Sequence, residues 1–312
     1  MKLRYIFLII AGVLIVVGGI LLVIGITNNK KEEMVTKTYN LNEQFENIDI
    51  NLETSNILFV KSDENKVIVE ETNKEHHKVE ILNNSLNITF ASDKKWYEYI
   101  FNFRWNSLKI TVFLKDQLFN NLKIKASTGS ISIPNDFTFN DAKINLSTGN
   151  LDYKATVTNE LNVETSTGNQ LISGINAKNI IAKSSTGFIS LNNVNVIEDI
   201  KLSLSTGAIM LDNVKANNLT TSSSTGAVEL NNTIMNNNMN IETSTGSVTF
   251  NNSDSNTINV KTSTGSVRGT LLTNKSFDAK SNTGRVNVPN TTGGSCVIKS
   301  DTGEINITIA EK

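Results

Sequence analysis

The chain has 312 residues, a formal net charge of −1, two histidines and one cysteine. A near-neutral chain lacks the basic surface that nucleic acid requires, so we expect no nucleic-acid partner. One cysteine cannot form an internal disulfide, and Cys296 is predicted to be a small buried hydrophobic residue.

The first predicted element is an apolar run from Ile6 to Ile26, which has 21 residues and no charge. A membrane-spanning helix needs about 20 apolar residues, so residues 6–26 are predicted to be a transmembrane anchor after a cytoplasmic start at residues 1–5. A cleaved signal peptide has a shorter apolar region; we favour a retained anchor over this alternative. The flanking positive charges slightly favour a single-pass cell-membrane protein whose C-terminal domain is extracellular.

Residues 27–39 are predicted to be a linker, and residues 40–120 an irregular β cap for the repeats that follow. Within the cap, Thr54-Ser55-Asn56 is flanked by alternating apolar residues and resembles a first repeat that lacks its glycine. A cap is expected because the open end of a stacked β structure is a strand edge that promotes aggregation.

The only histidines, His76 and His77, are adjacent in the cap. Neighbouring strand residues point to opposite faces, so they are expected not to share a site, and a solvated pair is the favoured interpretation. Because no other catalytic or metal-binding pattern is present, we expect no catalytic residue, no metal and no cofactor.

An aromatic stretch follows within the cap. In an extended strand most of its aromatic residues would project to one side. That side would either close the end of the repeats, which is the favoured interpretation, or contact a glycan, a partner or the membrane. The candidate contact residues are Trp96, Tyr97, Tyr99, Phe101, Phe103 and Trp105, of which Trp96 would point to the other side.

The remaining residues, 121–312, contain ten copies of Ser-Thr-Gly or a close variant, spaced 19 or 20 residues apart. A fixed period of this size indicates stacked repeats. Strand-like alternation flanks each glycine, for example Leu202 and Leu204 before Gly207 and Ile209 after it, and it predicts an all-β, single-chain β-solenoid of about ten rungs. The predicted structural corners are Gly129, Gly149, Gly168, Gly187, Gly207, Gly226, Gly246, Gly265, Gly284 and Gly303.

Two corners per rung are predicted. The glycine suits the first because it reaches positive φ without steric cost. Asparagine occupies the position six residues later in six rungs and tolerates the left-handed conformation of a second corner. These residues are Asn135, Asn193, Asn213, Asn232, Asn252 and Asn290.

The serines and threonines that precede the corner glycines predict a ladder of hydroxyl groups along one edge of the solenoid, with a spacing of about 4.8 Å. Such a ladder could align with a polymer or with ice. The favoured interpretation is that the hydroxyls close their own turns, because all of them lie at corners.

A single N-terminal span, an irregular β start and twenty-residue rungs with a glycine corner resemble the bacterial putative-adhesin domain of unknown function, the LiaG-like envelope proteins. The resemblance covers roughly residues 40 to 310, as the repeat period indicates, and implies association with the cell envelope. That family is described with a repeated Gly-Asp pair, whereas no corner glycine here is followed by aspartate. A role of that aspartate is therefore not carried over.

Together these features predict a membrane-anchored, extracytoplasmic β-solenoid without enzymatic activity that binds or scaffolds a cell-wall polymer or an envelope protein. Two alternatives are a regulatory ectodomain in envelope-stress signalling and an enzyme that acts on envelope glycan. Acidic residues aligned in one groove would favour the enzyme, but the aspartates of the rungs do not repeat in register.

Overall fold

The computed structural model describes residues 2–27, 33–93 and 108–311. One helix, α1 (Lys2–Thr27), precedes the strands. The cap contains β1 (Val35–Asn40), β2 (Asn47–Lys61), β3 (Lys66–Glu71), β4 (Glu75–Leu82), β5 (Ser85–Ser92) and β6 (Leu108–Leu114). The rungs contain β7 (Leu118–Thr128), β8 (Ile131–Ile133), β9 (Thr138–Thr148), β10 (Leu151–Tyr153), β11 (Thr156–Thr167), β12 (Gln170–Ser173), β13 (Asn176–Ala177), β14 (Asn179–Val196), β15 (Asp199–Thr225), β16 (Val228–Asn231), β17 (Ile234–Thr245), β18 (Val248–Thr264), β19 (Val267–Leu271), β20 (Lys275–Thr283), β21 (Val286–Asn287), β22 (Gly294–Thr302) and β23 (Ile305–Ile309).

The repeats form a β-solenoid in which equivalent residues of neighbouring rungs pair in parallel. Between β14 and β15, for example, Ile180 pairs with Ile200 and Gly187 with Gly207. The solenoid makes about nine turns, one fewer than the ten glycine copies. The copy at Gly284 is followed by a strand of only two residues, β21.

Each rung has a first face, the strand that ends at the Ser-Thr pair, and a second face, the strand that follows the glycine. The alternation predicted from the sequence determines which side chains point inward. In the Gly207 rung, Ile200, Leu202 and Leu204 of the first face and Ile209 and Leu211 of the second are at most 3% exposed. Because burying one such side chain contributes about 1.5–3 kcal/mol, each rung is stabilised by the layers above and below it.

In the cap, β2 occupies the place of a rung. It pairs in parallel with β7 of the first glycine rung, so that Thr54 lies opposite Thr128. On its other side β2 pairs in parallel with β5 and β6. Strand β4 then pairs with β5, and β3 with β6, in antiparallel fashion. These antiparallel strands cover the edge that β5 and β6 would otherwise present.

At the opposite end the rungs do not stack in chain order. Strand β22 of the Gly303 rung pairs with β18 of the Gly265 rung on one side and with β20 of the Gly284 rung on the other. The N–H group of Gly265 donates to the carbonyl of Thr302 at 2.8 Å, and that of Gly303 donates to Thr283 at 2.9 Å. The last segment of the chain is thus inserted between two earlier rungs, and the Gly284 rung forms the end of the solenoid.

The side chains of α1 are described from Arg4 to Ile20, apart from Ile6 and Ile9, and all of them are exposed. Over the residues that the structure describes, no helix combines the length and the apolar character that a membrane crossing requires. The transmembrane anchor predicted at residues 6–26 is therefore not supported by the structure.

Candidate functional site

The corner glycines define one edge of the solenoid, and two requirements select glycine there. Nine of the ten have φ between 131° and 154°, a region that residues with a side chain rarely adopt. In addition, consecutive corners stack closely: a Cβ atom on Gly207 would lie 1.6 Å from the carbonyl oxygen of Gly187. The positive φ was predicted from the sequence, whereas the close contact between corners was not.

Beside the glycines run two exposed columns of hydroxyl groups, which we call the hydroxyl edge. The threonines stack in register, with Thr148 between Thr128 and Thr167. The exposed serines are Ser127, Ser147, Ser166, Ser185, Ser205, Ser224, Ser244 and Ser263, and the exposed threonines are Thr128, Thr148, Thr167, Thr186, Thr206, Thr225, Thr245 and Thr264. Neighbouring rungs place these groups about 4.8 Å apart.

Within the described part of the chain, no hydroxyl group of the hydroxyl edge hydrogen-bonds to another group. The expectation that these hydroxyls close their own turns is therefore wrong. At a third position, three residues before the glycine, some hydroxyls instead hydrogen-bond to the corner glycine of a neighbouring rung. There the hydroxyls of Ser281 and Ser300 donate to the carbonyls of Gly303 and Gly265 at 2.8 and 3.3 Å. The hydroxyl edge is consequently free to hydrogen-bond with a ligand.

An open groove of about 450 Å³ lies on the first face beside the hydroxyl edge and extends over five rungs, from Ser127 to Ser205. Its wall also contains Lys125, Glu164 and Lys183. Lys183 Nζ and Glu164 Oε1 are 3.2 Å apart. The lining therefore offers hydroxyl donors and acceptors, one ion pair and one further lysine, a set suited to a long polar ligand.

In four rungs the asparagine at the second corner has the positive φ that the sequence predicted. Asn193, Asn213, Asn232 and Asn252 have φ between 48° and 54°, so the prediction is confirmed for them. It is wrong for Asn135 and Asn290, which do not have positive φ. Both of these follow a proline, the only two in the chain. Proline fixes its own φ near −65° and suits the second position of a type I turn, in which the next residue also keeps a negative φ.

The cap contains a buried polar cluster that the sequence did not reveal. His77 Nε2 lies 3.4 Å from Ser55 Oγ, and His77 Nδ1 lies 3.7 Å from Glu71 Oε1. Burial lowers the pKa of His77, and the negative charge of Glu71 acts in the opposite direction. Ser55 is 0% exposed, and its hydroxyl donates to the carbonyl of Thr54 at 2.7 Å. Because solvent does not reach Ser55, we assign the cluster a structural role.

The two histidines lie on different sides of β4. His76 is partly exposed and lies 3.2 Å from Asp93, whereas His77 is 4% exposed. The expectation that they share no site is confirmed, but the expectation of a solvated pair is wrong for His77. The sequence signal for its burial was the alternation along β4, in which Glu75, His77 and Val79 share one face.

The remaining candidates from the sequence are the aromatic residues of the cap, a possible metal site and Cys296. The aromatic residues Trp96, Tyr97, Tyr99, Phe101, Phe103 and Trp105 lie outside the described residues. Over residues 2–27, 33–93 and 108–311, no group of three or more metal-ligating side chains could hold a metal ion. Cys296 is a buried free thiol, as predicted, and burial raises its pKa to about 12.

A family model described as Toastrack DUF4097 matches residues 45–198 and 183–312. The chain belongs to this family. The resemblance to the putative-adhesin domain of unknown function is thereby confirmed. The two matches overlap and together include β2 and all of the rungs, so the Toastrack region begins inside the cap. No curated protein matches the chain.

Several solved structures are similar to this Toastrack chain at low identity. A putative adhesin from Bacteroides fragilis is 16% identical, covers 90% of this chain and 98% of its own, and has a TM-score of 0.44. A putative adhesin from Parabacteroides distasonis is 14% identical over 90% and 98%, with a TM-score of 0.47. A putative lipid binding protein from the same organism is 15% identical over 78% and 98%, with a TM-score of 0.48. None of these likenesses assigns a ligand to this chain.

Proposed function

We propose that this chain is a non-enzymatic binding protein of the bacterial cell envelope, and that it holds a cell-wall glycan along the hydroxyl edge. The observation that supports this proposal is the set of hydroxyl groups that face solvent without a hydrogen-bond partner in the described chain. A glycan presents many hydroxyl groups in a row, and an extended one can follow the groove from rung to rung.

The groove favours a glycan over a small molecule. It is open and polar, and its lining repeats from rung to rung, whereas sites for small ligands are concave and mostly apolar. Each hydrogen bond to a hydroxyl group contributes only about 0.5–1.5 kcal/mol. Useful affinity therefore requires several rungs to act together on one long ligand.

The proposal also includes attachment to the membrane through α1, with the solenoid on the outer side. Its support is that the described apolar side chains of α1 are exposed, for example Val13 at 55%, Ile15 at 74% and Ile20 at 54%. Exposed apolar side chains in such a row favour an apolar environment. If the proposal is correct, the full chain sediments with membranes, whereas a variant without residues 2–27 stays in the supernatant.

The glycan proposal is tested by sedimenting the full chain with isolated cell walls. The variants Ser166→Tyr and Ser185→Tyr place a bulky ring in the groove, and we expect each to reduce the bound fraction several-fold. Ser130→Tyr is the matched control because Ser130 is exposed directly after a corner glycine and does not line the groove. Equal binding by the wild type, both groove variants and the control would contradict the glycan site.

A further inference from the structure

The C-terminal end of the solenoid presents a strand that is paired on one side only. Strand β20 pairs with β22 on one side. No strand of the described chain lies on its other side. By contrast, β22 is paired on both sides. An edge strand with free N–H and C=O groups is a template for pairing with another strand.

The inward side chains at this end are only half covered. Phe277 and Ala279 of β20 are partly exposed, whereas Cys296 and Ile298, their counterparts in β22, are 0% exposed. On the second face, Val286 is 39% exposed. A further layer on β20 would bury these apolar groups in the way that β20 buries those of β22.

The charges on β20 complement each other when the strand pairs with a copy of itself. Ala279 is the central residue of the nine in Lys275–Thr283. An antiparallel pair centred on Ala279 places Asp278 of one copy opposite Lys280 of the other, and the reverse. Both side chains point outward, because they alternate with inward Phe277 and Ala279. Opposite charges that face each other across such a pair stabilise it.

We propose that the chain forms a two-fold symmetric dimer through the outer edges of β20, tail to tail. The symmetry is closed, so the pairing stops at two copies. Inward residues face inward residues in this register, with Phe277 opposite Ser281 of the second copy, so the core continues across the junction.

The dimer places the two caps at opposite ends. Twelve layers are stacked on the first face, counting β5 and β20 themselves, so each rod is about 55 Å long and the dimer about 110 Å. If each copy is attached to a membrane through α1, which rests on the function proposed above, the dimer joins two membranes. The dimer itself depends on neither the groove nor the attachment.

The first test measures the mass of the full chain in detergent micelles by analytical ultracentrifugation across a dilution series. The wild type is expected to be a dimer. Asp278→Lys and Lys280→Asp each replace two attractive pairs with two repulsive ones, and we expect each to raise the dissociation constant about tenfold. The double reversal Asp278→Lys with Lys280→Asp restores the attraction and the dimer.

Glu242→Lys is the control, since it reverses an exposed first-face charge away from the end; the dimer is expected to persist. A monomeric wild type would overturn the proposal. So would a double reversal that is as weak as the single ones, because the register would then be wrong. If α1 alone held the dimer together, the two single reversals at Asp278 and Lys280 would leave the dissociation constant unchanged. That result would also contradict the proposal.

A second test uses disulfide formation. Residues directly opposite in an antiparallel pair have Cα atoms about 4.5–5.5 Å apart, within the range of a disulfide. The double variant Asp278→Cys with Lys280→Cys is expected to form a disulfide-linked dimer, whereas either single variant is not. Cys296 should not interfere because it is buried. Equal cross-linking of the single and double variants would indicate random collision and would overturn the register.

Discussion

The cap and the rungs show two ways to stack β layers. In the rungs every layer is parallel and in register, and one residue type, glycine, forms the corner. In the cap, β1, β3 and β4 are antiparallel, and a buried cluster around His77 occupies the region of the corner. The rungs depend on repetition, whereas the cap depends on particular residues that occur once.

Ser55 shows where the two regions meet. It occupies the corner position of β2, because the preceding residue, Thr54, pairs with Thr128 of the first glycine rung. A Cβ atom on Gly129 would lie 2.0 Å from the carbonyl oxygen of Ser55. The requirement for glycine thus arises from the preceding corner, and Ser55, which has no such corner before it and no positive φ, can carry a side chain.

The largest expected effect comes from deletions. Removal of Ala208–Gly226 takes out one whole period, and both junctions still join equivalent positions, so we expect a folded, shorter rod. Removal of ten residues, Ala208–Asn217, places a corner where a strand belongs and should unfold the neighbouring rungs. Circular dichroism distinguishes the two variants. If both are folded or both unfolded, the rungs are not interchangeable units.

This interchangeability explains what the sequence could predict. The period and the alternation around residues such as Leu204 and Ile209 are local, so they predicted the rung, its core and its glycine corner. The insertion of the Gly303 rung beside the Gly265 rung could not be predicted, because every rung offers the same pattern to its neighbour. Rung order depends on the connecting segments, which carry no repeat.

Substitution of a single corner glycine should destabilise the chain less than a deletion does. Gly226 has φ of 141°, and a Cβ atom there would lie 1.4 Å from the carbonyl oxygen of Gly207. Gly226→Val is therefore expected to cost at least about 1–3 kcal/mol from the backbone conformation alone, with the clash added. The measurement is urea unfolding of the full chain.

Two control variants separate the cost of the backbone conformation from the cost of the steric clash between corners. Gly174 has φ of 68° and nothing within 4 Å of its Cβ position, so Gly174→Ala should show only the conformational cost, about 1 kcal/mol. Ala227→Ser, next to the corner, should be nearly silent. If Gly226→Val loses no more stability than Gly174→Ala, corner stacking is not what selects glycine.

The candidate site was less predictable than the fold. The hydroxyl edge was visible in the sequence, but whether its hydroxyls were free depended on which of three adjacent positions faced inward. At the third position, Ser300 donates instead to the carbonyl of Gly265 in the neighbouring rung. Likewise the charges of Asp278 and Lys280 were visible, while the open edge of β20 was not, since it results from the inserted strand.

The smallest expected effect lies in the cap and depends on pH. Burial lowers the pKa of His77 in the folded chain, whereas the unfolded chain has a histidine pKa of about 6.5. The unfolded state therefore gains a proton first as the pH falls. Stability is full above about pH 6.5 and declines below it, by at most about 1.4 kcal/mol per pH unit. His77→Gln should remove this part of the decline, and His76→Gln, at a partly exposed position, should keep it.

Melting temperatures of the three chains between pH 5 and pH 8 provide the measurement. Parallel curves for the wild type and His77→Gln would show that the buried cluster does not couple protonation to the stability of the cap.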